Sequence, residues 1–172
     1  MNAGTTRLRS LGEDDLERVH SWRNDPDVTR HLGRLAMSRE QVDDWFASLS
    51  PQNGDRAFAI LVDDTFVGYG LLTDADPLNK KCEAGVIIGE KSYWGRGIGT
   101  LVVRELMRIA FHELGFHRVL AVASARNPAS IRCFERVGFQ REGILRDANL
   151  RESEYIDLVL LSLLEQEWRS TG

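Results

Sequence analysis

The stretch SYWGRGIGTLVVRELMRIAFHELG, residues 92–115, sets three glycines (Gly95, Gly97, Gly99) within five residues against the start of a strongly amphipathic helix. Glycine inside regular structure costs roughly 1 kcal/mol relative to better helix formers, so a purely structural sequence has better choices there. A helix N-terminus, however, leaves four backbone N–H groups unpaired and carries about half a positive charge. A loop without side chains lets an anion approach those amides, and phosphate is the obvious candidate. A tight strand-to-helix turn that needs positive φ angles is the alternative reading. Two familiar phosphate loops fail on the residues. A Walker loop needs Gly-Lys-Ser/Thr, and no lysine follows Lys91 in the window; a dinucleotide fingerprint needs a glycine where Val102 stands.

The rest of the chain is organised around this helix. The 172 residues suit one domain spanning 1–172, long enough for an independent core, and the pass along them shows no repeat, low-complexity tract or linker. Residues 6–9 read as a first strand. LGEDDLERVHSWRNDPDV follows as an acidic-started helix halted near Asn24 by Pro26, and Ser38 with Gln41 reads as a capping box opening a second helix. AFAILVDDTFVGYGLL predicts two strands around an Asp63-Asp64 turn, and CEAGVIIGE a third, giving an antiparallel meander. The glycine-led helix should then run from Gly97 to about Leu114, with Gly115 as its C-cap. A strand HRVLAVAS, a short helix NPASIRCFERV capped by Gly138, and strands FQREGILRD and EYIDLVLLSL complete an α+β pattern with one mixed sheet.

Composition excludes some functions. With 42% hydrophobic and 28% charged residues and no apolar run near the roughly 20 residues of a membrane helix, the chain reads as a cytoplasmic protein that does not act in a membrane. Two cysteines are too few for a disulfide framework, and the N-terminus lacks a secretory apolar core. A net charge of -4 argues against broad nucleic-acid binding and is compatible with a cationic small substrate without demonstrating one. The four histidines show no metal-site spacing, so no metal is expected.

The glycine loop resembles the acyl-CoA pyrophosphate loop of the GCN5-related N-acetyltransferases (GNAT), Arg/Gln-x-x-Gly-x-Gly/Ala, with Trp94-Gly95-Arg96-Gly97-Ile98-Gly99 in its place. Trp94 departs from the general first position but is similar to the branch of ribosomal-protein N-terminal acetyltransferases and spermidine acetyltransferases, which read WGkGigTEA. Four further segments match that branch in order: SWRNDPDV, CEAGVIIG, NPASIRCFERVGFQREG and EYIDLVLLSLLEQEW. The resemblance implies a mixed, mostly antiparallel sheet of about seven strands with helices on both faces, splayed between strands 4 and 5. It further implies acetyl-CoA as cofactor. The loop amides of residues 96–100, Thr100 included, would hold the pyrophosphate, and Val86, Ile87 and Ile88 would hydrogen-bond the pantetheine. Asn127 and Ser130 would reach the cofactor, with Phe134 on the same helix. Asn127 before Pro128 also reads as a plain helix N-cap.

The implied chemistry is direct attack of an amine on a thioester, which asks for a neutral amine and a held oxyanion. At pH 7 the neutral form costs about 4.6 kcal/mol for an alkyl amine and about 1.4 kcal/mol for an α-amino group. Glu83 is the candidate base, acting through water; the alternative is a strand-end glutamate paired with Lys80 or Lys81. Backbone N–H groups near Ile87 and Ile88 are candidates to polarise the thioester oxygen. Where many relatives carry a tyrosine that protonates the CoA sulfur, this chain has Phe134, which leaves Cys133, Ser130 and Tyr155 as substitutes. It also motivates a second reading, an acyl-CoA-binding sensor that has lost turnover. Tyr155 matches the family's terminal-strand tyrosine and is expected to line the acceptor pocket. Trp22, Arg23, Asn24 and Asp25 form the candidate acceptor cluster, with amine capture by Asp25 and stacking on Trp22, against the alternative of Trp22 in the core. The acceptor is expected to be a small-molecule amine, a polyamine or amino sugar among them, or a protein N-terminus, and the apolar last strand is a candidate homodimer edge.

Overall fold

A computed structural model describes residues 4–32, 36–151 and 153–169 of the chain. Strand β1 (Thr6–Ser10) leads through a single 3-10 turn into helices α1 (Leu16–Arg23), α2 (Pro26–Thr29) and α3 (Arg39–Ser48). Strands β2 (Arg56–Val62), β3 (Thr65–Asp76) and β4 (Lys81–Ile88) form the meander. Helix α4 (Ile98–Arg108) precedes β5 (Arg118–Ser124), α5 (Pro128–Glu135), β6 (Gln140–Arg151), β7 (Glu154–Leu164) and a terminal α6 (Glu165–Arg169). One seven-stranded sheet results, in the order β1-β2-β3-β4-β5-β7-β6. Every neighbouring pair is antiparallel except β4 and β5.

Local chemistry accounts for the boundaries. Asp63 and Asp64 both take left-handed φ values (46° and 67°), the geometry of a two-residue hairpin turn that matches strand twist. The capping box is made: Ser38 Oγ accepts from Gln41 N at 3.2 Å, and Gln41 Oε1 accepts from Ser38 N at 2.8 Å. The helix expected from Gly97 to Leu114 is not α-helical throughout. Residues Ile109–Glu113 wind as a π-helix, whose wider turn keeps the consecutive Ile109, Ala110 and Phe111 all buried. β6 and β7 are longer than their sequence patterns indicate, and α6 follows β7 directly.

Strand alternation divides the core between the two faces of the sheet. Ala59 and Tyr69 pack with Leu16, Val19, Trp22 and Val42 of α1 and α3. Ile60, Leu72 and Ala84 pack with Val102, Leu106 and Met107 of α4 and with Ile131 and Phe134 of α5. Helices therefore cover both faces, as the resemblance implies. Among the described residues no helix is long and apolar enough to cross a membrane.

Just past β4, Gly89 lies tightly against α1. A side-chain carbon there would stand 2.0 Å from the Trp22 indole. Trp22 cannot yield, since its ring stacks on Tyr69 at 6.4 Å and meets Phe66 edge-on at 4.8 Å. Gly89→Ala is expected to lower stability by about 1–3 kcal/mol through overpacking, measured as a lower urea midpoint. Unchanged stability would show that the indole can move.

Candidate active site

β4 and β5 pair only through Lys81↔Arg118, Cys82↔Val119 and Glu83↔Leu120. Both strands continue past that point, β4 held by β3 and β5 held by β7, with no pairing across the gap between them. In an antiparallel pair half the backbone groups point away from the partner, so residues 84–88 carry donors and acceptors directed into that gap. A cleft of about 500 Å³ opens there. It is lined by residues 83–88 of β4, the loop 93–99, residues 122–124 of β5 and the near face of α5.

The glycine loop closes one end. Gly95 and Gly97 have φ values of 72° and 81°, and nothing stands within 4 Å of where a side chain would project. Among the described residues the backbone N–H groups of 95–99 have no acceptor. The first amides of the stretch that do are Thr100 and Leu101, which donate to Gly97 O at 3.1 and 3.3 Å. Trp94, 41% exposed, ties the loop to β4 through Nε1 and the Ile88 carbonyl at 2.7 Å. Arg96 lies over the Tyr93 ring at 4.7 Å and has no carboxylate partner among the described residues. Five open amides, a helix start and an uncommitted guanidinium suit a pyrophosphate. Gly99 serves packing instead, because a side chain there would sit 3.3 Å from Cys133 Sγ on α5.

On α5, Asn127 caps the helix, its Oδ1 accepting from Ser130 N at 3.1 Å. Its Nδ2 and the Ser130 hydroxyl have no partner among the described residues, and both side chains line the cleft, so capping leaves a donor available. Phe134 is buried against Phe139 at 5.0 Å and also borders the cleft. Thr100 does not line it; its hydroxyl turns to Cys133 Sγ at 3.7 Å. Burial pushes the Cys133 thiol above its ordinary pKa.

Glu83 stands at the last paired position, where the cleft closes. Its carboxylate makes no hydrogen bond or ion pair among the described residues, and Lys81 pairs with Asp76 instead, at 3.9 Å. Burial, with a smaller contribution from the Asp74 charge, raises its pKa above the usual glutamate value.

The acceptor cluster is placed otherwise than its residue types suggest. Trp22 is 4% exposed in the core, and its Nε1 donates to Glu90 Oε1 at 2.9 Å, so it offers no stacking face. Arg23 lies over Trp45 at 4.6 Å and Tyr69 at 5.6 Å. Asn24 Nδ2 bonds the His20 and Met37 carbonyls at 2.8 and 2.9 Å. Asp25 caps α2 through Asp27 N at 2.8 Å and pairs with Lys91 at 2.9 Å. None of the four lines the cleft; Asp27, Val28, Arg30, His31 and Leu32, one turn further on, do. Pro26 is the cause, since it ends α1 and starts α2 in a new direction. Tyr155 is corrected as well. It is 62% exposed opposite Leu150, beyond the register shift in β6 that follows Leu145, and lies outside the cleft lining.

The profile of the acetyltransferase (GNAT) domain family matches residues 6–140. The chain belongs to the GNAT acetyltransferases. It is 37% identical over 127 residues to a Bacillus subtilis protein named "Putative ribosomal N-acetyltransferase YdaF", covering 74% of this chain and 68% of that one. It is 27% identical over 168 residues to the uncharacterized N-acetyltransferase p20 of Bacillus licheniformis, covering 94% and 93%. The crystal structure of the Vibrio cholerae spermidine N-acetyltransferase in complex with CoA and spermine has the same fold, with a TM-score of 0.88 at 19% identity over 95% of this chain and 98% of that one. This GNAT protein is thus an N-acetyltransferase that uses acetyl-CoA, and the cleft offers exposed backbone and an anion-ready end suited to that cofactor.

Replacing Gly97 by valine would force a branched side chain into a left-handed conformation beside the open amides. Gly97→Val is expected to weaken CoA binding at least tenfold by calorimetry, at a stability cost of about 1–2 kcal/mol. Undiminished affinity would remove these amides from the cofactor site.

Proposed function

We propose that the protein acetylates a primary amine by direct attack within a ternary complex, with Glu83 as general base. The observation that carries this reading is the unpartnered Glu83 carboxylate at the closed end of the cleft. Acetyl-CoA supplies the activated acyl carbon and a thiolate leaving group. The amides of residues 95–99, with Arg96, hold the diphosphate, and the gap-facing backbone of residues 84–88 aligns the extended arm. The gap-facing amide of Ile88 polarises the thioester oxygen, while that of Ile87 is turned to β3.

Glu83 supplies what the backbone cannot. An ammonium acceptor must lose a proton, and a half-buried carboxylate with a raised pKa is better matched to that task than an exposed one. Phe134 offers no proton to the departing sulfur. A thiol with a pKa near 8.5 leaves tolerably without an acid, and Ser130 borders the cleft from the same helix.

The raised pKa fixes a sign. The folded state binds the Glu83 proton more tightly than the unfolded chain, so this stabilising contribution is complete below the unfolded pKa and is lost as pH rises through the folded one. At neutral pH the ionised carboxylate costs stability. Glu83→Gln is therefore expected to lower amine-dependent kcat/KM by about 10²–10⁴-fold while leaving the melting temperature at pH 7.5 equal or higher. The residual activity should rise with pH as the amine loses its proton unaided. A variant as active as the native protein, or one inactive only because it no longer binds acetyl-CoA, would contradict the assignment.

A further inference from the structure

The acids at the acceptor end of the cleft are already engaged. Lys91 Nζ lies 2.9 Å from a carboxylate oxygen of Asp25 and 2.9 Å from one of Asp27. Arg30 Nη2 meets the other Asp27 oxygen at 2.7 Å. Two carboxylates thus face two cations and their charges cancel. Glu90, the neighbour of Lys91, takes Arg18 at 2.5 Å and the Trp22 indole N–H at 2.9 Å. Of the cleft-lining acids, Glu83 alone is without a partner among the described residues, and it sits at the closed end.

The cations at the mouth are less committed. Arg151, at the end of β6, donates from Nη1 to the Leu32 carbonyl at 2.8 Å, which sets it beside the lining residues 30–32. It meets no carboxylate among the described residues. His31 lines the cleft with no hydrogen-bond partner among the described residues, and burial, together with the nearby Arg30 and Arg151 charges, lowers its pKa. A polyamine would bring several ammonium groups to this mouth, where among the described residues Asp25 and Asp27 are already met by Lys91 and Arg30, so its charges would find repulsion and no open acid. A carboxylate on the acceptor would instead give Arg151 a bidentate partner, which it has from no described carboxylate.

We propose that the acceptor is a primary amine carrying a nearby carboxylate, received by Arg151 and His31, and that Lys91 excludes polyamines by occupying the Asp25–Asp27 pair. This rests on the transferase reading above. The carboxylate has two sources of the same chemistry, the α-carboxylate of a free amino acid or an acidic side chain at a peptide N-terminus.

Initial rates of CoA release with glutamate, glutamine amide, C-amidated Glu-Ala and Gln-Ala peptides, a Lys-Ala amide and spermidine test it, on the native protein, Arg151→Met and Lys91→Met. Each carboxylate acceptor should exceed its uncharged counterpart at least tenfold in kcat/KM, with KM rising as salt is added. Preference confined to the free amino acid or to the peptides identifies the source. Arg151→Met should abolish the preference through KM, with kcat and acetyl-CoA affinity held, and Lys91→Met should raise turnover of spermidine. Spermidine as the best native substrate, or a carboxylate preference unchanged in Arg151→Met, overturns the inference and leaves the transferase standing. If Arg151→Met does not fold, the native preference and its salt dependence decide alone. No transfer to any amine by protein with acetyl-CoA bound overturns the transferase reading and this inference together.

Discussion

Backbone pairing between β4 and β5 stops after Glu83 and Leu120, although both strands run on. Parallel pairing is somewhat weaker per residue than antiparallel, and this one is flanked on both sides by long antiparallel ladders that hold each half of the sheet without it. Opening the middle therefore leaves two stable half-sheets and a strand-length row of unused N–H and C=O groups. Unpaired strand edges bind extended chains, and here the edge is internal, bordered by the loop 93–99 and α5 and by residues 27–32. The geometry that defines the fold also makes the cleft.

Helix α4 completes the cleft by its position. Its apolar face packs Val102, Val103, Leu106 and Met107 onto the sheet, which fixes its first turn at the open end of the gap. Its three leading glycines then serve different ends. Gly95 and Gly97 adopt left-handed backbone and leave amides bare, whereas Gly99 lets α5 approach closely enough for Cys133 to pack. Just before the loop, Gly89 abuts Trp22, and Glu90 and Lys91 bind α1 and α2. One continuous segment thereby joins the acceptor side to the cofactor side.

Much of the architecture was legible in the sequence because local chemistry dictated it. The Asp63-Asp64 turn, the Ser38–Gln41 box, Gly115 and the Asn127-Pro128 helix start are short-range signals, and each lies where its residue types direct. The left-handed glycine loop ahead of α4 was legible for the same reason, since glycine spacing and helix start are contiguous. The acceptor side was not. Trp22 looks alike in sequence whether it stacks on a substrate or on Tyr69, and only the sheet beneath α1 decides. His31 and Arg151 are 120 positions apart and carry no shared motif; they are brought near each other because the end of β6 bonds the chain after α2 at Leu32. Tyr155 failed because strand membership does not tell how far from the cleft a long hairpin extends.

The central claim is that the gap and its amides receive the cofactor arm. Residue-resolved amide hydrogen exchange with and without saturating CoA tests it most directly. The account expects exchange at residues 95–99 and at alternate positions of 84–88 to slow at least tenfold on CoA binding, with the β2–β3 hairpin little changed. Bound CoA with unaltered exchange at both segments would contradict it.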